Sequence, residues 1–304
     1  MMPEMAAHTI SKAVKVHRGD LLAFFPGQGQ IRKFEEILKS KLSGFEINPL
    51  YGQPPINPQR AALFPDKNGG RKIVLATSIA ETSLTIEGIK IVIDTGYGRT
   101  SRFDTKSGLS RLETIVISKD AADQRAGRAG RLTPGVCYRM WSLMTQNRVQ
   151  AHRIPEIEAS DLAPLILGLA AWGITDAHQL TWLTPPPKGS LAQAIALLHQ
   201  LEALEKGRIT PLGKRIHQFP CHPRIAYMLL FAEANNTLAL AADIAALLEE
   251  RDPLTREVGI DLNLRIEGLR RFRSLNNNGH RFGRIDQISK STYAFLIRIK
   301  VLSP

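Results

Sequence analysis

The first 140 residues alternate short apolar, β-rich runs with helical stretches, and this alternation restricts the possible folds more than any other feature. The β-rich runs are residues 21–25, 72–76, 89–94 and 135–140, and an amphipathic helix is predicted at 30–42. Strands that alternate with helices are typical of parallel sheets, because a parallel neighbour requires a long crossover connection. The sequence therefore predicts a parallel, doubly wound α/β sheet.

Two departures from this pattern predict further parts of the fold. Residues 101–104 and 109–117 flank the polar connection "DTKSG", which indicates an inserted β-hairpin. After residue 155 the apolar spacing becomes helical, at 162–172, 191–204 and 238–248, with Ser190 as the expected N-cap of the second helix. Net charge changes at similar places, from +10 over residues 1–155 to −4 over 156–250 and +6 over 251–304. We therefore expect domain boundaries near residues 155 and 250.

The overall charge favours a polyanionic partner. The chain has 40 Lys and Arg against 28 Asp and Glu, a formal net charge of +12. Nucleic acid and an anionic membrane surface both fit, and so does a solvated basic face without a partner. A membrane role ranks lowest, because no helix combines a strong basic face with a deep apolar one.

The cysteines and histidines indicate the cellular compartment and whether a metal site is expected. The two cysteines are far apart in sequence, and no apolar run has signal-peptide or membrane-span length. We expect a soluble, cytoplasmic protein. The histidines lack metal-ligand spacing, so no metal site is expected.

The strongest local motif is "QRAGRAGR", residues 124–131. Arg125, Arg128 and Arg131 occur at every third position, with glycines between them. This spacing predicts guanidinium groups along one side of a helix or tight loop. Guanidinium is permanently charged and donates in a fixed fork, which suits a multiply charged phosphate, and the amide of Gln124 could orient a water. A solvated basic face is the alternative.

A second motif, "ATSIAETSLTIEG", follows the predicted strand 72–76 directly. It places the hydroxyl residues Thr77, Ser78, Thr82, Ser83 and Thr85 at the carboxyl end of that strand. Ligands of open parallel sheets bind at this edge, and hydroxyl groups with helix-start amides suit phosphate oxygens. An ordinary helix N-cap and turn would produce the same pattern.

Other segments give a weaker signal for phosphate binding or none. "FPGQGQ", residues 25–30, is a glycine turn before the amphipathic helix, and helix-start amides there could meet a phosphate. No GxxxxGK[ST] phosphate loop occurs, and the nearest approach, residues 207–215, is interpreted as a turn. Asp94 resembles the carboxylate of a Walker B strand but lacks a neighbouring acid, which favours a structural strand-end residue. The chain thus has arginines for a phosphoryl transition state without a phosphate cradle.

These motifs resemble three motifs of the DEAH-box helicases in superfamily two. "LLAFFPGQGQI", "GRKIVLATSIAETSLTIEG" and "QRAGRAGR" are similar to motifs four, five and six, in that order, and residues 172–230 resemble the regions that follow them. The resemblance implies an α/β RecA-like (P-loop NTPase-type) parallel sheet domain with an inserted β-hairpin at 1–155. A mostly α winged-helix domain at 156–220 and a partial ratchet-like helical bundle at 221–304 would follow.

The resemblance also implies roles for individual residues. Arg128 and Arg131 match arginine fingers and Gln124 a residue near the γ-phosphate or attacking water, whereas Arg125 matches a structural position. The remaining implied roles are nucleotide contacts at Ser83, Thr85 and Glu87, the last in place of the usual Asp, and nucleic-acid backbone contacts at Thr77, Ser78, Gly27, Gln28, Gln59 and Arg60.

The same resemblance implies partners outside the chain. The first RecA-like domain of the same enzyme would hold most of the ATP and its Mg²⁺, so the chain alone is expected to lack ATPase activity. RNA is the favoured nucleic acid, with DNA possible. The alternative hypothesis is a stand-alone nucleic-acid-binding winged-helix adaptor that hydrolyses no nucleotide.

Overall fold

The computed structural model describes residues 2–52, 56–65, 69–82, 85–104, 108–131, 133–250, 252–254, 258–275 and 283–302. The chain divides into two units, Met1–Ser160 and Asp161–Pro304. The finer division at 155 and 220 stays a prediction.

The first unit is built on a parallel sheet, which confirms the predicted fold class. Five strands lie in the order β2-β3-β1-β4-β7, and every neighbouring pair is parallel. Their bounds are β1 Asp20–Phe24, β2 Phe45–Leu50, β3 Arg71–Ala76, β4 Ile89–Asp94 and β7 Val136–Arg139. The strand-rich runs 21–25, 72–76, 89–94 and 135–140 all correspond to strands, and only the edge strand β2 was not predicted.

Helices cover both faces of the sheet. Buried residues of α1 and α2 pack against Ile73, Leu75 and Ile91 on one face. Ala62 of α3 packs against Leu50, Val74 and Ala76 on the other face. The helices of this unit are α1 Met2–Val16, α2 Gln28–Lys41, α3 Ile56–Leu63, α4 Lys119–Ala126, α5 Leu143–Arg148 and α6 Glu156–Ala159, with a 3-10 helix at Ser78–Ala80.

The inserted hairpin is present and longer than predicted. Strand β5, Tyr97–Asp104, pairs along its whole length with β6, Leu109–Val116. Pairing begins at Tyr97↔Val116, four residues before the predicted start at Ser101. Part of the "DTKSG" connection, residues 105–107, lies outside the described residues.

The second unit is mostly helical, as predicted. Its elements are α7 Ala163–Ala171, α8 Lys188–Gln200, β8 Leu204–Glu205, β9 Arg208–Ile209, α9 Pro211–His217, α10 Pro223–Ala234, α11 Leu238–Glu249, α12 Leu262–Leu275 and α13 Gly283–Leu302, with a 3-10 helix at Ala177–Gln179. Within the described residues, no helix combines the length and apolar character needed to cross a membrane.

Two local predictions in this unit were wrong. Ser190 is not an N-cap: α8 begins at Lys188 with Pro187 as its N-cap, because a proline in the flanking position already has a helix-compatible φ. The segment 207–215 is more than a turn. It contains β9 and the start of α9, where the Thr210 hydroxyl accepts a hydrogen bond from the Gly213 N–H.

Candidate nucleotide and nucleic-acid site

The site centres on Glu81, a buried carboxylate that follows β3 and the 3-10 helix. Its side chain is 3% exposed, and three arginines converge on it. Nε of Arg125 donates to Oε1 at 2.7 Å, Nη2 of Arg153 donates to Oε2 at 2.5 Å, and Nε of Arg128 donates to the backbone carbonyl at 2.8 Å. Glu81 therefore connects the segment after β3 to the arginine motif.

Arg125 is the buried member of the arginine motif. Its side chain is 0% exposed and its Nη1 lies 2.8 Å from Oδ1 of Asp94, which is also 0% exposed. Nη1 also donates to the Tyr97 carbonyl at 3.1 Å, and the guanidinium lies 4.8 Å from the centroid of the Phe24 ring. Every side of the group is thus occupied by protein. Burial raises the pKa of Asp94, and Arg125 with the Gly96 N–H opposes that rise.

Arg128, Arg131 and Gln124 are more accessible than Arg125. Gln124 and Arg131 are exposed and Arg128 is half-buried. Burial, followed by the positive charge of Arg131, lowers the pKa of Arg128, which places the two guanidinium groups in one electrostatic neighbourhood. The Oε1 of Gln124 accepts a hydrogen bond from Nη2 of Arg153 at 3.3 Å.

The expectation that the three arginines line one side of a helix or loop was wrong. α4 ends at Ala126, and the backbone continues through tight turns in which the Arg128 N–H donates to the Arg125 carbonyl. Helical periodicity therefore stops between the first and the second arginine. Arg125 turns into the core, whereas Arg131 faces solvent.

Four of the predicted nucleic-acid contacts lie at one edge of the sheet. Gly27 and Gln28 follow β1, whereas Thr77 and Ser78 follow β3, and these two strands are neighbours that pair Phe24 with Ala76. The carboxyl ends of parallel strands meet at the same edge, so these segments lie side by side. Ser78 is exposed, Thr77 and Gln28 are half-buried, and Gly27 is buried.

Gly27 lies close to the side chain of Arg99 on the hairpin. A Cβ at Gly27 would lie 2.9 Å from Cζ of Arg99 on the hairpin. Arg99 also lines a groove of about 830 Å³ that contains Ser78, Glu81 and Arg153. The hairpin thus brings basic side chains next to the loops that follow β1 and β3.

The other predicted site residues lie in α3 and in the segment before β4. Arg60 is exposed in the last turn of α3, and Gln59 lies in the same helix without a described side chain. Thr85 and Glu87 are exposed in the segment before β4, whereas Ser83 lies outside the described residues. The Gly88 carbonyl accepts from the N–H of Asp20, the first residue of β1. Glu87 therefore lies near the amino edge of the sheet, away from Thr77.

Sequence reasoning missed Glu81 and Arg153 as members of the site. The one available signal for Glu81 was an acid next to hydroxyl and apolar residues, upstream of a motif with three arginines. Arg153 stands 72 residues from Glu81, so only the tertiary structure pairs them.

Comparisons with known proteins show the family to which this fold belongs. The model for the helicase conserved C-terminal domain matches residues 6–133, and the model for the helicase-associated domain (HA2), winged-helix, matches residues 194–221. The ATP-dependent RNA helicase HrpB of Escherichia coli is 43% identical over 248 residues. A crystal structure of the Escherichia coli DEAH/RHA helicase HrpB superposes with a TM-score of 0.84 at 37% identity, over 99% of this chain and 36% of that one.

The chain belongs to the DEAH/RHA helicases. It corresponds to part of their C-terminal half, with the helicase C-terminal domain in the first unit and the HA2 match in the second. The HrpB alignment covers 81% of this chain and 31% of HrpB. The pre-mRNA-splicing factor ATP-dependent RNA helicase prp22 of Schizosaccharomyces pombe is 41% identical over 221 residues, which are 70% of this chain and 19% of prp22. This DEAH/RHA chain thus spans about a third or less of the length of these relatives.

Proposed function

We propose that this chain is the C-terminal part of an ATP-dependent RNA helicase, in which it supplies arginine fingers and part of the nucleic-acid track. Arg128 and Arg131 stabilise charge that develops on the γ-phosphoryl group, and Gln124 orients the attacking water. Residues 1–155 act as the second RecA-like domain, residues 156–220 as the winged helix and residues 221–304 as part of the ratchet domain.

The convergence on Glu81 carries this proposal. Its carbonyl holds Arg128, and through Arg153 its carboxylate is connected to Gln124. Three residues earlier in the chain, Ser78 begins the loop proposed to contact the nucleic-acid backbone. A displacement of either segment therefore strains the hydrogen bonds of the other, which supplies a physical connection between nucleotide hydrolysis and movement along a strand.

The residues of this chain fit one side of an ATP site. Arg131 is exposed and Arg128 is half-buried, so neither is enclosed by protein as Arg125 is, and a polyphosphate that approaches from outside can reach both. Asp94, the one carboxylate with Walker B character, is already bound to Arg125. We therefore assign the phosphate cradle and the Mg²⁺ ligands to the first RecA-like domain in cis, with Thr85 and Glu87 as the nucleotide contacts from this chain. When bound, ATP with Mg²⁺ supplies the phosphoryl group and its charge neutralisation.

The nucleic-acid track follows the carboxyl edge of the sheet. Backbone and hydroxyl groups at Gly27, Gln28, Thr77 and Ser78 suit phosphate and sugar contacts, which position a strand without reading its sequence. We also assign backbone contacts to Gln59 and Arg60, which lie on α3 and not at this edge. The names of the relatives favour RNA over DNA.

A chimera tests the proposal. This chain replaces the matching segment of Escherichia coli HrpB, and ATPase activity is measured with and without single-stranded RNA. We expect RNA-stimulated ATPase in the chimera and none in the chain alone. Arg128→Ala should lower the turnover number of the chimera about 1,000-fold or more, the range of arginine-finger substitutions. Arg32→Ala, at an exposed arginine of α2, is the matched control and should leave turnover unchanged.

Two results would contradict the proposal. ATPase activity of the chain alone that disappears with Arg128→Ala would show a complete nucleotide site. A folded chimera without ATPase, together with tight and salt-sensitive RNA binding by the chain, would favour the winged-helix adaptor.

A further inference from the structure

Arg71 and Lys72, the first two residues of β3, each bind the carboxyl end of a helix, and the two helices lie on opposite faces of the sheet. Successive side chains of a strand point to opposite faces. The apolar residues that follow show the same alternation: Ile73 and Leu75 pack with α1 and α2, whereas Val74 and Ala76 pack with Ala62 of α3.

Lys72 holds the end of α3. Its side chain is buried, with the residue 1% exposed, and Nζ donates to the Ala62 carbonyl at 3.0 Å and to the Phe64 carbonyl at 2.7 Å. The last carbonyls of a helix lack partners within the helix and carry its negative dipole end, so a cation is stabilising there. Burial lowers the pKa of Lys72, with opposing effects from Asp20, Glu46 and Glu87.

Arg71 does the same for α1. Its guanidinium donates to the carbonyls of Val14 at 2.9 Å, His17 at 2.8 Å and Gly19 at 3.0 Å. α1 ends at Val16, so these carbonyls belong to its last turn and to the segment after it. The two neighbouring cations therefore make the same kind of contact on the two faces.

The two helices differ in what they carry. α3 contains Gln59 and Arg60, proposed contacts to the nucleic-acid backbone, whereas α1 carries no proposed site residue. Arg60 lies in the last turn of α3, where its carbonyl accepts from the Phe64 N–H at 3.1 Å. Lys72 therefore binds the carbonyl of Phe64, the residue whose N–H donates to the Arg60 carbonyl.

We infer that Lys72 is a positioning residue for nucleic-acid binding, through the α3 turn that presents Arg60. This inference rests on the proposed contact between Arg60 and a phosphate. Strand β3 then anchors two parts of the track, because Lys72 at its start fixes α3 and the strand leads directly into Thr77 and Ser78 at its end. Arg71 serves the fold alone.

The salt dependence of RNA binding by the full chain separates positioning from stability. Each lost phosphate contact makes the negative slope of log affinity against log salt concentration shallower by about 0.7 for single strands, which is about fivefold in affinity near 0.1 M salt. The probe is a fluorescein-labelled oligouridine, and anisotropy is measured over a series of KCl concentrations. Circular dichroism at each condition confirms that every variant is folded.

Four variants complete the test. Arg60→Gln should make the slope shallower by about 0.7, and Lys72→Met should make it shallower by a similar amount. The double variant should lose no more than either single one, because both changes remove the same contact. Arg71→Met should leave slope and affinity unchanged although it removes an equivalent helix contact. If Lys72→Met does not fold, Lys72→Gln, whose shorter and uncharged side chain weakens both carbonyl contacts, takes its place with the same expected direction of change.

The outcomes distinguish the inference from the proposed function. An unchanged slope for folded Lys72→Met, or additive losses in the double variant, overturns the inference while the Arg60 contact stands. An equal loss with Arg71→Met also overturns it, because general loosening of the sheet then explains the effect. An unchanged slope for Arg60→Gln shows that the proposed contact itself is wrong, and the inference fails with it.

Discussion

Each unit of the molecule contains a buried aspartate or glutamate held by an arginine, and the two networks differ in what they connect. In the first unit the side chains of Arg125, Glu81 and Asp94 are at most 3% exposed. In the second unit the side chain of Asp243 on α11 is 6% exposed and that of Arg273 on α12 is 29% exposed, and Asp243 also accepts from the Thr292 hydroxyl of α13.

The difference shows that buried charge has two uses in this protein. The network of the second unit joins three helices, and its arginine reaches solvent. The network of the first unit joins the end of β4 to the loop after β3 and to the arginine motif, and the last two are segments proposed to face nucleic acid and nucleotide. A network of buried, hydrogen-bonded charges fixes the conformation of loops that apolar packing alone would not fix.

Arg125→Met should produce the largest loss of stability. It leaves Asp94 and Glu81 without their buried partner, which costs about 3–5 kcal/mol of unfolding free energy. Hydrogen–deuterium exchange resolved by peptide should show faster exchange in β4 and α4. Arg32→Met on the exposed side of α2 is the control and should stay within about 0.5 kcal/mol of the parent protein. A loss of unfolding free energy below about 1 kcal/mol for Arg125→Met would contradict the proposed difference between the two networks.

Asp243→Asn should lower the unfolding free energy by less than Arg125→Met does, by about 1–3 kcal/mol. The charge-assisted hydrogen bond from Nη1 of Arg273 at 2.9 Å is weakened, but this arginine is partly exposed and can be solvated. Faster exchange should be confined to α11, α12 and α13. A loss as large as that of Arg125→Met would mean that the degree of burial does not separate the two networks.

The pair of Asp161 and His222 extends the comparison to pH. Burial alone would raise the pKa of Asp161, but hydrogen bonds from His222 at 3.0 Å and from the Ala163 N–H lower it further than burial raises it. The folded pKa is below the ordinary 3.8, so the contribution to stability is present above pH 3.8 and is lost as pH falls through the folded value.

Acid titration of unfolding free energy checks this sign. Asp161→Asn should cost about 1 kcal/mol at neutral pH, and the gap from the parent protein should close as pH falls below the folded pKa. A gap that widens on acidification would contradict the assigned direction.

Arg153→Gln should have the smallest effect on stability, below about 1 kcal/mol, because half of its side chain is exposed. It should nevertheless lower the turnover number of the HrpB chimera, since Gln124 and Glu81 lose their shared donor. Arg148→Gln, at another arginine of the same groove, is the matched control. Equal turnover in the two variants would contradict a positioning role for Arg153.

The sequence predicted most of the first unit because its central strands are continuous apolar runs. The edge strand β2 was missed since Pro49 and Asn48 interrupt it, and such residues are tolerated at a sheet edge. α1 was missed because three of its buried positions are alanines, Ala6, Ala7 and Ala13, which give a weak periodic signal.

The sequence predicted which residue types form the site, but not the burial or the partners of those residues. The spacing of Arg125, Arg128 and Arg131 gave no sign that α4 ends at Ala126, so the burial of the first arginine could not be predicted. Glu81 and Arg153 come together only through tertiary contact. The predicted nucleotide and nucleic-acid roles remain proposals.

The central claim is that Glu81 connects the nucleotide-facing arginines to the nucleic-acid track, and the RNA stimulation of ATPase tests it most directly. The measurement is the ratio of ATPase turnover with and without single-stranded RNA, for the HrpB chimera and its Glu81→Gln variant at a temperature where both are folded. If Glu81 couples the two sites, the ratio falls about tenfold in the variant, which corresponds to about 1.4 kcal/mol of coupling. An unchanged ratio in a folded variant would contradict the claim.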